Sequence, residues 1–296
     1  MSASWLFFIG YGVVFLGLFF GLALWRKKNR KTRAPFPENA KLLRGPGETL
    51  SRKLTELDER FFYEVLIALL IPLFVGITLA QIATYLVGTA QLIGLGIAAL
   101  ALFISLFFVL RRLVNGIDRW RNTWLGCYGE RVVAESLEEL KPQGFRIFHD
   151  VPAGDAKNPF NIDHVIVGPS GVFAIETKTR RKGRARAGFA EHQIIYDGQV
   201  LAYPWGEDRH GLDQAARQAT WLQSWLEQLI GQPVRVQPIL TFPGWMVITR
   251  ARGTVTVLNP KQIPAAVALR GAPALDERQI DLIARQLDTR CRDVEF

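Results

Sequence analysis

Asp163, Glu176 and Lys178 stand in the stretch FNIDHVIVGPSGVFAIETKTRRK, residues 160–182. Two apolar runs, 162–167 and 172–175, flank Gly-Pro-Ser-Gly, the composition of a tight β-hairpin. With Pro169 and Ser170 at the turn centre, Gly168 pairs with Gly171, Val167 with Val172, Val165 with Ala174, and Asp163 with Glu176. Side chains alternate between faces along a strand. One face then carries Asp163, Val165, Val167, Val172, Ala174, Glu176 and Lys178. The other carries Ile162, His164, Ile166, Phe173, Ile175 and Thr177. Two carboxylates directly across a strand pair repel. A hard divalent cation, Mg²⁺ or Mn²⁺, is the economical compensation, and an ammonium one step along can polarise a water or stabilise developing charge. The bland alternative is a solvated salt-bridge cluster on an exposed sheet face. A one-residue error at the turn would split the three residues between faces.

Asp163, twelve residues, then Glu176-x-Lys178 on a hairpin resembles the core of the PD-(D/E)XK nuclease superfamily. The surrounding text is more specific. GxxGE at 126–130, IDHVIVGPSGVFAIETK at 162–178 and a later Gln214 opening a helix resemble the nuclease-related (NERD) domain, over residues 124–260. The resemblance implies an α/β fold, a mixed sheet flanked by helices. It implies metal-dependent hydrolysis of nucleic acid, with DNA favoured over RNA. Asp163 and Glu176 would ligate Mg²⁺ or Mn²⁺, helped by the Thr177 backbone carbonyl. Lys178 would act on the water nucleophile, Glu130 would ligate a second metal or orient water, and Gln214 would position the substrate or the site.

Glu130 also draws attention by position. In a helix over 124–140, Val133, Leu137 and Leu140 form the apolar stripe, and Glu130 falls on that stripe. An acid on an inward face calls for a partner; the competing account is a helix-start Glu complementing the macrodipole. Gly126 and Gly129 would let another backbone approach closely. After the hairpin come Arg180, Arg181, Lys182, Arg184 and Arg186, five cations suited to phosphates flanking a scissile bond. A solvated basic turn or a lipid contact would use the same residues.

Other elements must position these groups. Residues 145–151 read as the first strand, 191–200 as a second hairpin around Asp197-Gly198, and 212–230 as an amphipathic helix with Leu212, Ala215, Ala219, Leu222, Leu226 and Leu229 inward. Gln214, Gln218, Trp221 and Trp225 lie on its adjoining flank. Residues 235–242 and 254–258 read as strands, and about 260–270 and 276–290 as closing helices.

The first 110 residues hold the long apolar runs. Residues 5–25 contain no charge and are bracketed by Trp5 and Trp25. About twenty helical residues cross the ~30 Å hydrocarbon core, and indoles suit its interfaces. Gly17 and Gly21 form a GxxxG that would allow a homodimer through transmembrane helices. Basic residues 26–33 follow, within a linker over 26–60. Apolar stretches at 61–86 and 91–110 make a helical hairpin spanning 61–112, closed by Arg111 and Arg112, with an interfacial connector at 113–123. The positive-inside rule then predicts three spans in the cell (inner) membrane, the N-terminus outside and the C-terminal domain cytoplasmic, with membrane lipid a partner.

Composition bounds the alternatives. The net charge of +9 suits an anionic partner. Cys127 and Cys291 alone exclude a disulfide framework and a Cys-rich zinc site. The four histidines, His149, His164, His192 and His210, lack zinc-ligand spacing, and there is no P-loop, GxGxxG or GxSxG. A transport path would need more polar residues within the spans than Gln81 and Gln91. The rival to a membrane-tethered nuclease is a catalytically inactive nucleic-acid-binding or scaffold protein on the same fold.

Overall fold

A computed structural model describes residues 3–28, 41–268 and 273–295. Residues 29–40, holding most of the basic stretch and part of the expected linker, lie outside the described residues, as do 269–272 at the end of the first closing helix. The chain divides into two units, residues 1–42 with 295–296, and residues 43–294.

In the first unit, α1 (Ala3–Lys28) is a single helix of 26 residues. In the second, α2 (Glu48–Ala83) and α3 (Thr89–Leu137) form an antiparallel pair joined by a tight turn. Two helices, Glu48–Ala83 and Thr89–Gln143, are long and apolar enough to cross a membrane. The sequence predicts three such helices; among the described residues two are long and apolar enough.

The expected linker is helical from Glu48 onward. The expected connector at 113–123 is not a break either, since α3 runs 49 residues from the apolar hairpin into the soluble domain. No proline interrupts residues 89–137, and isolated glycines cost a helix only about 1 kcal/mol each. The helix ends where Pro142 approaches: residues Glu138–Gln143 tighten to a 3₁₀ turn, and Gly144 takes the left-handed conformation at φ 84°.

The part that follows α3 is built on two mixed sheets. The larger has the order β10-β8-β4-β3-β2, with β2 (Arg146–Gly154), β3 (Pro159–Gly168), β4 (Gly171–Thr177), β8 (Val236–Thr241) and β10 (Thr256–Leu258). β2, β3 and β4 are antiparallel neighbours, while β4, β8 and β10 run parallel. Every residue of β4 is buried, as expected of a central strand covered on both sides. Val165, Val167, Val172 and Ala174 pack with α4 (His210–Ile230) and α6 (Glu277–Cys291). Ile166, Phe173 and Ile175 pack with Val133, Leu137 and Leu140 and with α5 (Ile263–Val267). The smaller sheet has the order β7-β6-β5-β9, with β5 (Gln193–Tyr196), β6 (Leu201–Tyr203), β7 (Gly206–Asp208) and β9 (Met246–Thr249). β5 and β6 form the second hairpin around Asp197-Gly198. Short strands β1 (Lys41–Leu43) and β11 (Arg292–Glu295) complete the elements.

The hairpin register is as the turn dictates: Gly168 with Gly171, Val167 with Val172, Val165 with Ala174. Two details differ from the alternation argument. The β3–β4 ladder ends at His164 with Ile175, so Asp163 and Glu176 are not a ladder pair; Glu176 and Thr177 pair with Leu240 and Thr241 of β8. Ile162 is buried in the same apolar cluster as Val165, not on the His164 side. An irregularity of β2 lies next door. Asp150 on β2 has φ 48°, a left-handed conformation that Asp tolerates. It interrupts the β2–β3 ladder between His149–His164 and Val151–Ile162.

Candidate active site

Asp163 leaves β3 where its ladder to β4 ends, and Glu176 and Lys178 leave β4 beside it. The half-buried Asp163 accepts the Thr177 N–H through Oδ2 at 2.6 Å. Glu176 is buried and accepts through both oxygens: Oε1 from Lys178 Nζ at 2.5 Å, and Oε2 from Gln218 Nε2 at 2.7 Å. Lys178 Nζ also donates to Gln214 Oε1 at 2.8 Å. The Asp163–Glu176 repulsion expected across the strands is thus partly met by protein groups, an ammonium on one carboxylate and a backbone amide on the other.

Gln214 and Gln218 are four residues apart on α4 and so share a face. Gln218 joins the site although the sequence places it only on the helix flank. Its spacing from Gln214 was the available signal. It also donates to the Asn161 carbonyl at 3.1 Å, tying α4 to β3.

Glu130 reaches the same place from α3. It lines a cleft of about 500 Å³ together with Asp163, Glu176, Thr177, Lys178, Arg180 and Arg181. Burial, then the charges of Asp150 and Glu176, push its carboxyl up to about 8, against a backbone hydrogen bond from Gly47 that favours the ion. Asp163 is likewise held well above the usual carboxylate range, by burial first and then by Glu176 and Glu130. Gly129 makes the approach of α3 possible, because a Cβ there would sit 2.0 Å from Thr179 Cγ2. Gly126 similarly faces the Leu50 side chain of α2. Both glycines therefore admit side chains rather than backbone.

The segment before α2 belongs to this architecture. Asp150 Oδ2 accepts from Thr49 N–H at 2.9 Å, Thr49 Oγ1 at 2.6 Å and Arg44 at 3.0 Å, and Asp150 Oδ1 accepts from Asn161 at 3.0 Å. Arg44 also pairs with Asp293. These bonds fix the Gly47 amide that meets Glu130.

The basic run does not act as one block. Arg180 and Arg181 line the cleft, and Arg181 donates to Asn122 Oδ1 at 3.4 Å. Lys182 lies over the Trp245 ring at 5.8 Å, Arg186 stacks on Phe189 at 4.0 Å and faces Glu207 at 3.6 Å, and Arg184 is exposed. His149 and His164, predicted to be unsuited to zinc, bond to each other Nδ1 to Nδ1 at 2.9 Å.

Among the described residues, no three of His, Cys, Asp and Glu converge closely enough to ligate one Mg²⁺ or Mn²⁺ together. Mg²⁺ is commonly held by only one or two carboxylates plus waters and phosphate oxygens. Two carboxylates at the cleft, with Gln218 Oε1 buried and lacking a hydrogen-bond partner beside Glu176, match that smaller requirement.

The family model for the nuclease-related domain, NERD, matches residues 125–243. An uncharacterized protein of Bacillus anthracis is 36% identical over 59 residues, covering 19% of this chain and 26% of that protein. The match thus spans about a quarter of that relative's length. No solved structure matches the chain.

Proposed function

We propose that this protein, which carries a nuclease-related domain over residues 125–243, is a membrane-tethered, metal-dependent phosphodiesterase acting on DNA or RNA. The observation that carries the proposal is the convergence of Asp163, Glu176, Lys178 and Glu130 on one cleft, with Lys178 Nζ bridging Glu176 and Gln214. Asp163 and Glu176 would hold Mg²⁺ or Mn²⁺, with the Thr177 carbonyl as a further ligand. A bound divalent ion lowers the pKa of a water and offsets charge developing on the phosphoryl oxygens. Lys178 would orient the attacking water and stabilise the anionic centre. Gln214 would hold that ammonium in direction. Glu130, whose raised pKa suits proton transfer near neutrality, would orient the water or accept its proton. Arg180 and Arg181, at the cleft rim, would hold phosphates beside the scissile bond. The α2–α3 pair would cross the membrane with α1 as a third span, leaving the domain on the cytoplasmic face, where basic flanks belong.

The test is a nuclease assay on the full chain in detergent, with end-labelled DNA and RNA and Mg²⁺ or Mn²⁺. Truncation before residue 113 would remove Arg44, Gly47 and Thr49, which brace Asp150 and Glu130, so the full chain is the proper sample. Metal-dependent cleavage that Lys178→Ala abolishes supports the reading. Cleavage unchanged in that variant would point to a contaminant and overturn it.

One observation favours a second reading, a nucleic-acid-binding scaffold without cleavage. Both Glu176 oxygens are already engaged by Lys178 and Gln218. Binding of the same oligonucleotides with no cleavage at any divalent concentration would select it.

A further inference from the structure

A second polar cavity lies away from the cleft, where α2 and α3 leave their apolar runs. It is an open concavity of about 360 Å³, lined by the exposed Arg60 of α2 and the exposed Phe108, Arg111, Arg112, Asn115 and Arg119 of α3. The α3 residues recur at steps of three and four, so they share one helical face. Glu64 organises the group. It is buried between the helices, and its Oε1 accepts from Arg60 Nε at 3.1 Å and from Arg112 Nε and a second Arg112 nitrogen, each at 3.2 Å. Among the described residues, neither Arg111 nor Arg119 forms an ion pair. Four guanidiniums against one carboxylate leave the cavity strongly cationic.

We propose that this cavity binds a phosphate group, that of an anionic phospholipid headgroup. Guanidinium forks match phosphate oxygens in geometry and charge. Asn115 adds a neutral donor. Phe108, still within the apolar run, gives the cavity one hydrocarbon-facing wall, as a headgroup continuous with acyl chains requires. A positive-inside bias explains how many cations gather at this end of a span. It does not explain why cations from two helices converge with an amide on one concavity, or why a buried Glu64 holds two of them in place. The inference rests on the membrane embedding proposed above and is independent of nuclease chemistry.

The experiment uses the full chain in nanodiscs of phosphatidylcholine mixed with phosphatidylglycerol. Native mass spectrometry counts the lipids retained on release, and thermal unfolding is followed in parallel with and without inorganic phosphate. Retention of phosphatidylglycerol over phosphatidylcholine by roughly tenfold is expected. The double variant Arg111→Gln/Arg119→Gln should lose that preference, and Arg111→Lys/Arg119→Lys should keep part of it, which separates a missing site from a missing fold. Inorganic phosphate that displaces the lipid and raises the unfolding temperature in wild type alone would support the same site filled from solution. Equal retention of the two lipids, or retention unchanged in the Gln variant, overturns the proposal. Displacement of the lipid by a short oligonucleotide overturns it in favour of a nucleic-acid surface. Release of the protein from membranes by alkaline carbonate alone would instead remove the embedding on which the inference rests.

Discussion

Gln214 Oε1 accepts a hydrogen bond from Lys178 Nζ at 2.8 Å, while the same ammonium meets Glu176 Oε1 at 2.5 Å. A neutral amide on α4 therefore directs a cation just past the end of β4 toward a buried carboxylate. Lys178→Ala leaves Glu176 with Gln218 as its remaining side-chain partner. Removing one member of a buried ion pair costs about 3–5 kcal/mol, less here because Lys178 is partly exposed. Cleavage should vanish. The divalent-induced rise in unfolding temperature should be larger in Lys178→Ala than in wild type, because the cation then replaces the missing charge. An equal or smaller rise would mean that no metal reaches Glu176. Gln214→Ala should lower the cleavage rate without abolishing it.

Gly129 sets a second test. An alanine Cβ at this position would collide with Thr179 Cγ2, one residue past Lys178. Overpacking of this kind costs typically about 1–3 kcal/mol. Gly129→Ala should therefore destabilise the domain and reduce cleavage together, whereas Gly129→Ala/Thr179→Ser removes the colliding methyl and should restore most of both. Failure of the double variant to recover stability would show that the contact is not what requires glycine.

These relationships were unequally legible in the sequence. The hairpin and its register followed from Gly-Pro-Ser-Gly, because two glycines around Pro169 and Ser170 leave few other turn centres. Glu130 was legible as an acid on an apolar stripe. Gln214 came from resemblance alone, and Gln218 was missed although it lies one turn further on the same face. The continuity of α3 was hidden because residues 113–123 are polar and aromatic, and composition suggested a connector where only the absence of proline mattered. The left-handed Asp150 could not be read at all. Its carboxylate is held by Arg44 and Thr49, about a hundred residues earlier in the chain, and beside it Ile162 joins the Val165 cluster against simple alternation.

The basic run should behave unevenly. Removing one cation that meets a phosphate should flatten the dependence of log binding constant on log salt by roughly 0.7–0.9. Arg181→Ala, at the cleft, should show that reduction. Arg186→Ala should show little, because its guanidinium is occupied by Phe189 and Glu207. Identical slopes for both variants and wild type would assign the run to a solvated turn or to lipid.

The His149–His164 pair predicts acid sensitivity. One Nδ1 must donate and the other accept, so the accepting ring cannot be protonated at Nδ1 without losing the bond. Burial pushes His149 down to about 4 and His164 well below its ordinary value. Between about 6.5 and 4 the unfolded chain then binds more protons than the native one. Stability is lost as pH falls, by up to about 1.4 kcal/mol per pH unit for each histidine. His149→Gln keeps a hydrogen-bonding group opposite His164 and removes one titrating site, so urea unfolding across this range should show a shallower loss. An unchanged slope would place the acid sensitivity elsewhere.

The cleft carboxylates predict the opposite trend at higher pH. Glu130 is raised to about 8 and Asp163 is raised well above its ordinary value, both by burial first and then by neighbouring carboxylates, Asp150 and Glu176 for Glu130, Glu176 and Glu130 for Asp163. For acids raised in the folded state, the stabilising protons are fully present below the unfolded pKa, near 4.5 for Glu130. They are lost as pH rises through the folded value. Metal-free protein should therefore become less stable from about pH 4.5 to about pH 8 through these groups, with the histidine effect superimposed at the acid end. A divalent cation binds the ionised forms and releases protons, so its stabilisation should grow over the same interval. At a hundredfold excess over its dissociation constant it should reach about 2.7 kcal/mol. Asp163→Asn retains an oxygen to accept the Thr177 N–H and removes the charge facing Glu130. It should flatten the metal-free decline and abolish most of the metal effect, leaving the metal-free protein as stable as wild type or slightly more so. The measurement is thermal unfolding of the full chain in detergent across this pH range, with chelator and with Mg²⁺ or Mn²⁺. If the cation leaves wild type unchanged at every pH and Asp163→Asn is as destabilising as a core substitution, the carboxylates form a structural charge cluster and the metal-dependent reading fails.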